Sequence, residues 1–172
     1  TMQGGALAIP GFTAWAPGSL VVSNGQLAFP QGFQLTVTGT VTVSGNGALW
    51  FTNGTVSIGS LNLSNSASAA SMSYVYGGPS AVFNVAQDLV LNQSTLNLRS
   101  VGTNIVTVTI GGNLVMTNSG RLYAYAGVTN SIQPVGLRIN VGGSATLSSF
   151  SWVYPVSEPT NGGSLFLHAR NL

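Results

Sequence analysis

The sequence predicts an all-β fold: a parallel β-helix solenoid of about five to six coils, with three short strands per coil. Three observations carry that expectation. Apolar residues alternate with Thr, Ser and Asn at a period of two, which is what a half-buried strand requires. Turns containing Gly and Asn separate the runs. One motif also returns along the chain: an apolar residue, a short polar corner, then apolar-x-apolar. No segment has helical periodicity.

The alternation is clearest at Leu35/Val37, Val41/Val43, Val56/Ile58, Leu61/Leu63, Leu96/Leu98 and Val106/Val108/Ile110. Asn24-Gly25, Asn46-Gly47, Gly111-Gly112 and Gly142-Gly143 lie between such runs, and both residue types tolerate φ > 0 where a chain changes direction. The corner motif joins Val37 to Val41, Ile58 to Leu61, Val85 to Leu89, Ile110 to Leu114 and Val141 to Ala145. Its second half starts at positions 20, 41, 61, 89, 114 and 145, giving steps of 21, 20, 28, 25 and 31. An earlier strand of each repeat begins at Leu35, Val56, Phe83, Val108 and Ile139. A later one begins at Leu27, Leu49, Leu96, Leu122 and Leu165. Insertions at 67–79, 128–134 and 153–163 account for the longer steps. Units that stack only on their neighbours tolerate such insertions at a corner. Residues 1–17 stand outside the repeat and are expected to cap it or contact a neighbouring subunit, leaving 18–172 as the solenoid. A β-sandwich is the alternative, since many short strands with frequent turns fit it too. It gives no reason for one corner motif to keep returning.

The composition of the 172 residues excludes several classes. With 44% hydrophobic and 3% charged residues, the chain is neither disordered nor a helical bundle, whose outer faces need Glu, Lys and Arg. The cations are Arg99, Arg121, Arg138 and Arg170; the acids are Asp88 and Glu158; His168 is the sole histidine and Cys is absent. Calcium wants six to eight oxygen ligands and zinc a His/Cys set, so no metal or other cofactor is expected. Paired-carboxylate hydrolysis would have to use Asp88, in a corner, and Glu158, in a loop. Alternation puts His168 opposite Leu165 and Leu167, on the solvent side, and no G-x-S-x-G elbow occurs. The expectation is no enzyme. Four scattered Arg residues are a poor footprint for nucleic acid. No run approaches the ~18 apolar residues of a membrane helix. Neither partner is expected. A polar, nearly uncharged surface suits an extracellular or cell-surface location. With so few ionisable side chains, stability is expected to change little between about pH 3 and 8.

The runs Val108, Ile110, Leu114, Met116, Leu122 and Val85, Leu89, Leu91, Leu96 resemble the repeats of bacterial exported parallel β-helix proteins. That group includes the filamentous-haemagglutinin and autotransporter-like adhesins. The resemblance spans roughly residues 18–170. It implies a right-handed parallel β-helix, export, and a structural or adhesive role.

Surface remains as the source of function. Arg121, Tyr123 and Tyr125 are expected to face out together, as are Tyr74 and Tyr76, with Trp50 also outward. Such rows anchor protein contacts or meet glycans. The ends pose a second problem, because a solenoid leaves unpaired edges and this chain has no Lys to protect them. Either the chain is a piece of a longer solenoid, or neighbouring subunits cover its ends through Leu7, Ile9, Leu165 and Leu167. The expected function is a non-enzymatic extracellular protein that self-assembles end to end into a filament or surface layer. The alternative is a monomeric adhesin or glycan-binding module.

Overall fold

The computed structural model describes residues 1–3, 5–8, 13–52, 54–64, 72–77, 82–100, 106–127, 135–148, 150–157 and 162–172. Among them there is no helix. The chain begins with β1 (Met2–Gln3), β2 (Ala6–Ala8), β3 (Ala14–Trp15), β4 (Leu20–Ser23), β5 (Gln26–Ala28), β6 (Gln34–Ser44) and β7 (Ala48–Thr52). There follow β8 (Thr55–Ser64), β9 (Met72–Gly77), β10 (Val82–Val85), β11 (Leu89–Asn92) and β12 (Thr95–Ser100). The last are β13 (Val106–Ile110), β14 (Leu114–Thr117), β15 (Arg121–Ala126), β16 (Val135–Leu147), β17 (Trp152–Ser157) and β18 (Ser164–Asn171).

These strands form two sheets. Seven of them, β2, β5, β7, β9, β12, β15 and β17, make one sheet, and the other eleven make the second. Every pairing is parallel, and no strand pairs with its immediate neighbour in sequence. Hairpin-connected sandwiches are built from antiparallel neighbours, so these pairings do not describe the sandwich alternative.

The repeating positions face one another. Leu20, Val41, Leu61, Leu89, Leu114 and Ala145 are successive partners in one ladder. Leu35, Val56, Phe83, Val108 and Ile139 are successive partners in another. The polar corner lies between these two ladders, and β6, β8 and β16 run straight through it. The β6–β8 register shifts there, between Val37 and Thr40.

Four expectations need correction. The described strands within residues 1–17 do follow the repeat: Met2 pairs with Val22, Leu7 with Leu27 and Trp15 with Leu35. Strands of two or three residues are too short to display alternation, so the sequence does not show the pattern there. The segment 67–79 is more than an insertion, because β9 lies between β7 and β12. Its positions opposite Leu96 and Leu98 are Ser73 and Val75, which breaks the apolar-x-apolar marker. Segment 153–163 likewise begins inside β17, where Val153 pairs with Leu122 and Pro155 interrupts the pattern. Leu165 therefore does not continue the Leu27–Leu49 series; it lies opposite Leu137, in the other sheet.

The corners are built in two different ways. Asn24, Gly45, Gln93 and Asn118, each just after a strand, take positive φ of 54°, 58°, 49° and 50° and turn the chain. The Gly-Gly corners do not depend on φ. A Cβ on Gly142 would sit well inside 3.0 Å of the Gly111 carbonyl oxygen, and one on Gly111 equally close to that of Ala86. Those glycines let successive strands approach.

Alternate residues of both sheets point into one apolar core, with Leu35, Val56, Phe83 and Val108 from the larger sheet and Leu27, Leu49, Leu96 and Leu122 from the smaller. Each such side chain contributes about 1.5–3 kcal/mol on burial. A void of about 10 Å³ among Leu35, Phe83, Leu96 and other apolar residues is at the lower limit for one water. That void has no room for a ligand. Coverage falls at β18: Leu165, Leu167 and Ala169 are only partly buried, whereas Leu137, Ile139 and Val141 one strand in are 0–2% exposed.

Candidate functional site

The chemistry lies on the outer face of the seven-stranded sheet. Leu96, Leu98, Leu122 and Ala124 point into the core, so Asn97, Arg99, Arg121, Tyr123 and Tyr125 point away from it. Parallel, in-register pairing then sets outward residues in columns. Trp50, Tyr74, Asn97, Tyr123 and Tyr154 follow one another in one column. Thr95, Arg121 and Trp152 form a second, and Tyr76, Arg99, Tyr125 and Val156 a third.

Neighbours within the columns touch. The rings of Tyr123 and Tyr154 stack at 4.7 Å with 10° between their planes. The Arg121 guanidinium lies 5.6 Å from the centre of the Trp152 ring, and that of Arg99 lies 5.9 Å from that of Tyr125. Both are cation–π distances. Trp50, Trp152 and Tyr154 are 37–39% exposed, and Tyr123 and Tyr125 are half-buried. Asn97 is 5% exposed, and its Nδ2 has no hydrogen-bond partner among the described residues. Buried amides are rarely left so.

Arg121, Tyr123 and Tyr125 thus stand together as the sequence predicts. Trp50 shares the Tyr123 column but lies three strands away. Tyr74 and Tyr76 occupy the expected register on β9; their side chains lie outside the described ones. Sequence reasoning missed Arg99, Trp152 and Tyr154. Trp152 and Tyr154 flank Val153 as Arg121 and Tyr123 flank Leu122, a likeness that the pairing of β15 with β17 brings out.

Among the remaining candidates, Asp88 ties corners together. The Asp88 carboxylate Oδ1 accepts hydrogen bonds from the Asn113 backbone N–H at 2.7 Å and its Nδ2 at 3.1 Å. Asn113 Oδ1 in turn accepts from the Ser144 N–H at 2.9 Å, so these side chains tie three successive corners together. His168 is exposed beside Phe166, their rings 6.5 Å apart, in an open depression of about 600 Å³ shared with Thr109, Asn140 and Arg170. Glu158 lies outside the described residues. Among the described residues, no group of three or more His, Cys, Asp or Glu could hold a metal ion. They form no helix long and apolar enough to cross a membrane. Of the expected end contacts, Leu165 and Leu167 lie on the half-covered last strand, Leu7 is in register with Leu27, and Ile9 lies outside the described residues.

No family model, curated protein or solved structure matches the chain.

Proposed function

We propose that the two sheets close into a right-handed parallel β-helix with three strands per coil, and that the protein is a non-enzymatic structural element of the extracellular surface. In this reading it belongs with the exported β-helix repeat proteins it resembles, and copies stack end to end into filaments. One observation carries the proposal. Core positions at β18 are half-covered, while their partners one strand in are buried. Another rung in the same register would complete them.

A second copy can supply that rung. Its β2 and β3 belong to the same ladders as β17 and β18 of the first, at the opposite edge. Every strand is parallel, so the contact would repeat head to tail without closing, which gives a fibre. Native edges are commonly protected by Lys, and this chain has none. The half-exposed Trp152, Tyr154 and Phe166 would each gain a neighbour in their columns.

The test is sedimentation of the 172-residue chain over rising concentration. Mass should grow without limit for the wild type. Leu167→Lys, which sets a charge on the exposed edge of the core, should remain monomeric with unchanged far-ultraviolet circular dichroism. A wild type that stays monomeric at every concentration would reject the reading.

A further inference from the structure

We propose that Phe150 is the anchor by which one copy of the chain grips the next, seated on the Gly4-Gly5 corner of the second copy. This deepens the end-to-end reading and rests on it.

The corner that leads into the seven-stranded sheet is built alike in several coils. Asn24, Gln93, Ser119 and Phe150 each stand two residues before a strand of that sheet, and each takes a positive φ, of 54°, 49°, 66° and 60°. Left-handed backbone is unfavourable for a bulky side chain and easy for Asn or Gly. Three of the four are polar, and the fourth is a phenylalanine. Phe150 is also 80% exposed, and among the described residues no ring stacks on it. Within its own chain the ring thus sits at a strained position and faces water. Both costs are offset if assembly covers it. The surface around it is apolar as well: Leu147, Trp152, Tyr154 and Phe166 of the last coil are 37–45% exposed. Leu147 lies opposite Met116, which is wholly buried one rung in.

The register says what meets Phe150. At this corner the carbonyl of one coil accepts the first N–H of the strand above. Gly5 accepts from Gln26 at 2.8 Å, Ser94 from Arg121 at 2.8 Å and Gly120 from Trp152 at 3.0 Å. The next carbonyl in that series belongs to Ser151, and the strand that opens the series, β2, begins with Ala6. A second copy stacked in continuous register therefore sets its Ala6 N–H on the Ser151 carbonyl and its Gly4-Gly5 corner on Phe150. Gly5 has a φ of 78°, and nothing lies within 4 Å of where its Cβ would be. The ring finds room there that a side chain such as Asn24 would fill. One end offers a ring and the other a bare corner, so the contact is head to tail.

Phe150→Asn tests this, because Asn suits the turn and removes the ring. Sedimentation over rising concentration should put the onset of its assembly about tenfold above that of the wild type. Urea unfolding of the unassembled protein, read by circular dichroism, should give a midpoint equal to the wild type's or higher. Phe150→Gly suits the turn equally and should lose assembly in the same way. A wild type that never assembles would overturn the end-to-end reading and the anchor with it. A wild type that assembles, with both variants matching it, would overturn the anchor alone. Loss of assembly together with a lower unfolding midpoint in both variants would also overturn it, since Phe150 would then be holding its own coil.

Discussion

The outer faces of the two sheets are built on the same inward arithmetic and differ most in their middle columns. On the larger sheet, successive outward partners are Thr36, Ser57, Asn84, Thr109 and Asn140. They are short and uncharged, and nearby hydroxyls and amides bond one another from rung to rung. Examples are Ser23 with Ser44 at 2.9 Å, and the Asn118 Nδ2 donating to Asn92 Oδ1 at 2.9 Å. On the smaller sheet the corresponding columns hold Trp50, Tyr123, Tyr154, Arg121 and Trp152. A parallel ladder needs only that inward residues be apolar and fit. Its outward residues are left open to other demands. The rings of Trp50, Tyr123, Trp152 and Tyr154 stand on the smaller sheet, while the cations are divided, Arg99 and Arg121 on the smaller sheet and Arg138 and Arg170 on the larger.

The sharpest way to break this comparison is to set inside against outside on one strand. Phe83→Ala should cost about 3–5 kcal/mol in urea unfolding, while its outward neighbour Asn84→Ala should stay within about 0.5 kcal/mol. Similar costs would mean that β10 does not present alternate faces. Next in size is the approach of successive corners. Gly142→Val places a side chain against the Gly111 carbonyl and should cost about 1–3 kcal/mol. Gly18→Ala, with nothing within 4 Å of its Cβ, should be close to neutral.

Two smaller effects separate the faces themselves. Asn97→Val removes an amide buried without a partner among the described residues and adds a strand-forming residue, so it should stabilise by about 1–2 kcal/mol. A loss of stability would mean the amide is satisfied in solution. A double-mutant cycle on Tyr123 and Tyr154 should return a coupling of about 0.5–1.5 kcal/mol from the ring stack. The same cycle on Thr109 and Asn140, partners on the other face, should return close to zero.

The larger ladders were legible because their inward residues are Leu, Val, Ile and Phe, separated by polar residues over four or more positions. The register of Leu20 through Ala145 could be read from spacing alone. Where a strand has two or three residues, as in β1 to β3, alternation has no length in which to appear. Where a small residue or a proline takes a repeat position, as at Ser73 and Pro155, the marker is lost although the backbone still pairs. The outward site was half legible for a related reason. Arg121, Tyr123 and Tyr125 lie on a strand with a clear inward pattern. Trp152 and Tyr154 lie on one without it, and only the register reveals that they extend the same columns. Gln93 shows a further limit, since nothing in its side chain announces the left-handed turn that it makes.

The most direct test of the account is the helical rise of the assembled chain measured by electron microscopy. Seven strands in the smaller sheet, at about 4.8 Å each, put every copy about 34 Å further along the axis than the last. Filaments with that rise would establish head-to-tail stacking in continuous register. Discrete particles, or fibrils that rise by a single strand spacing per copy, would contradict it.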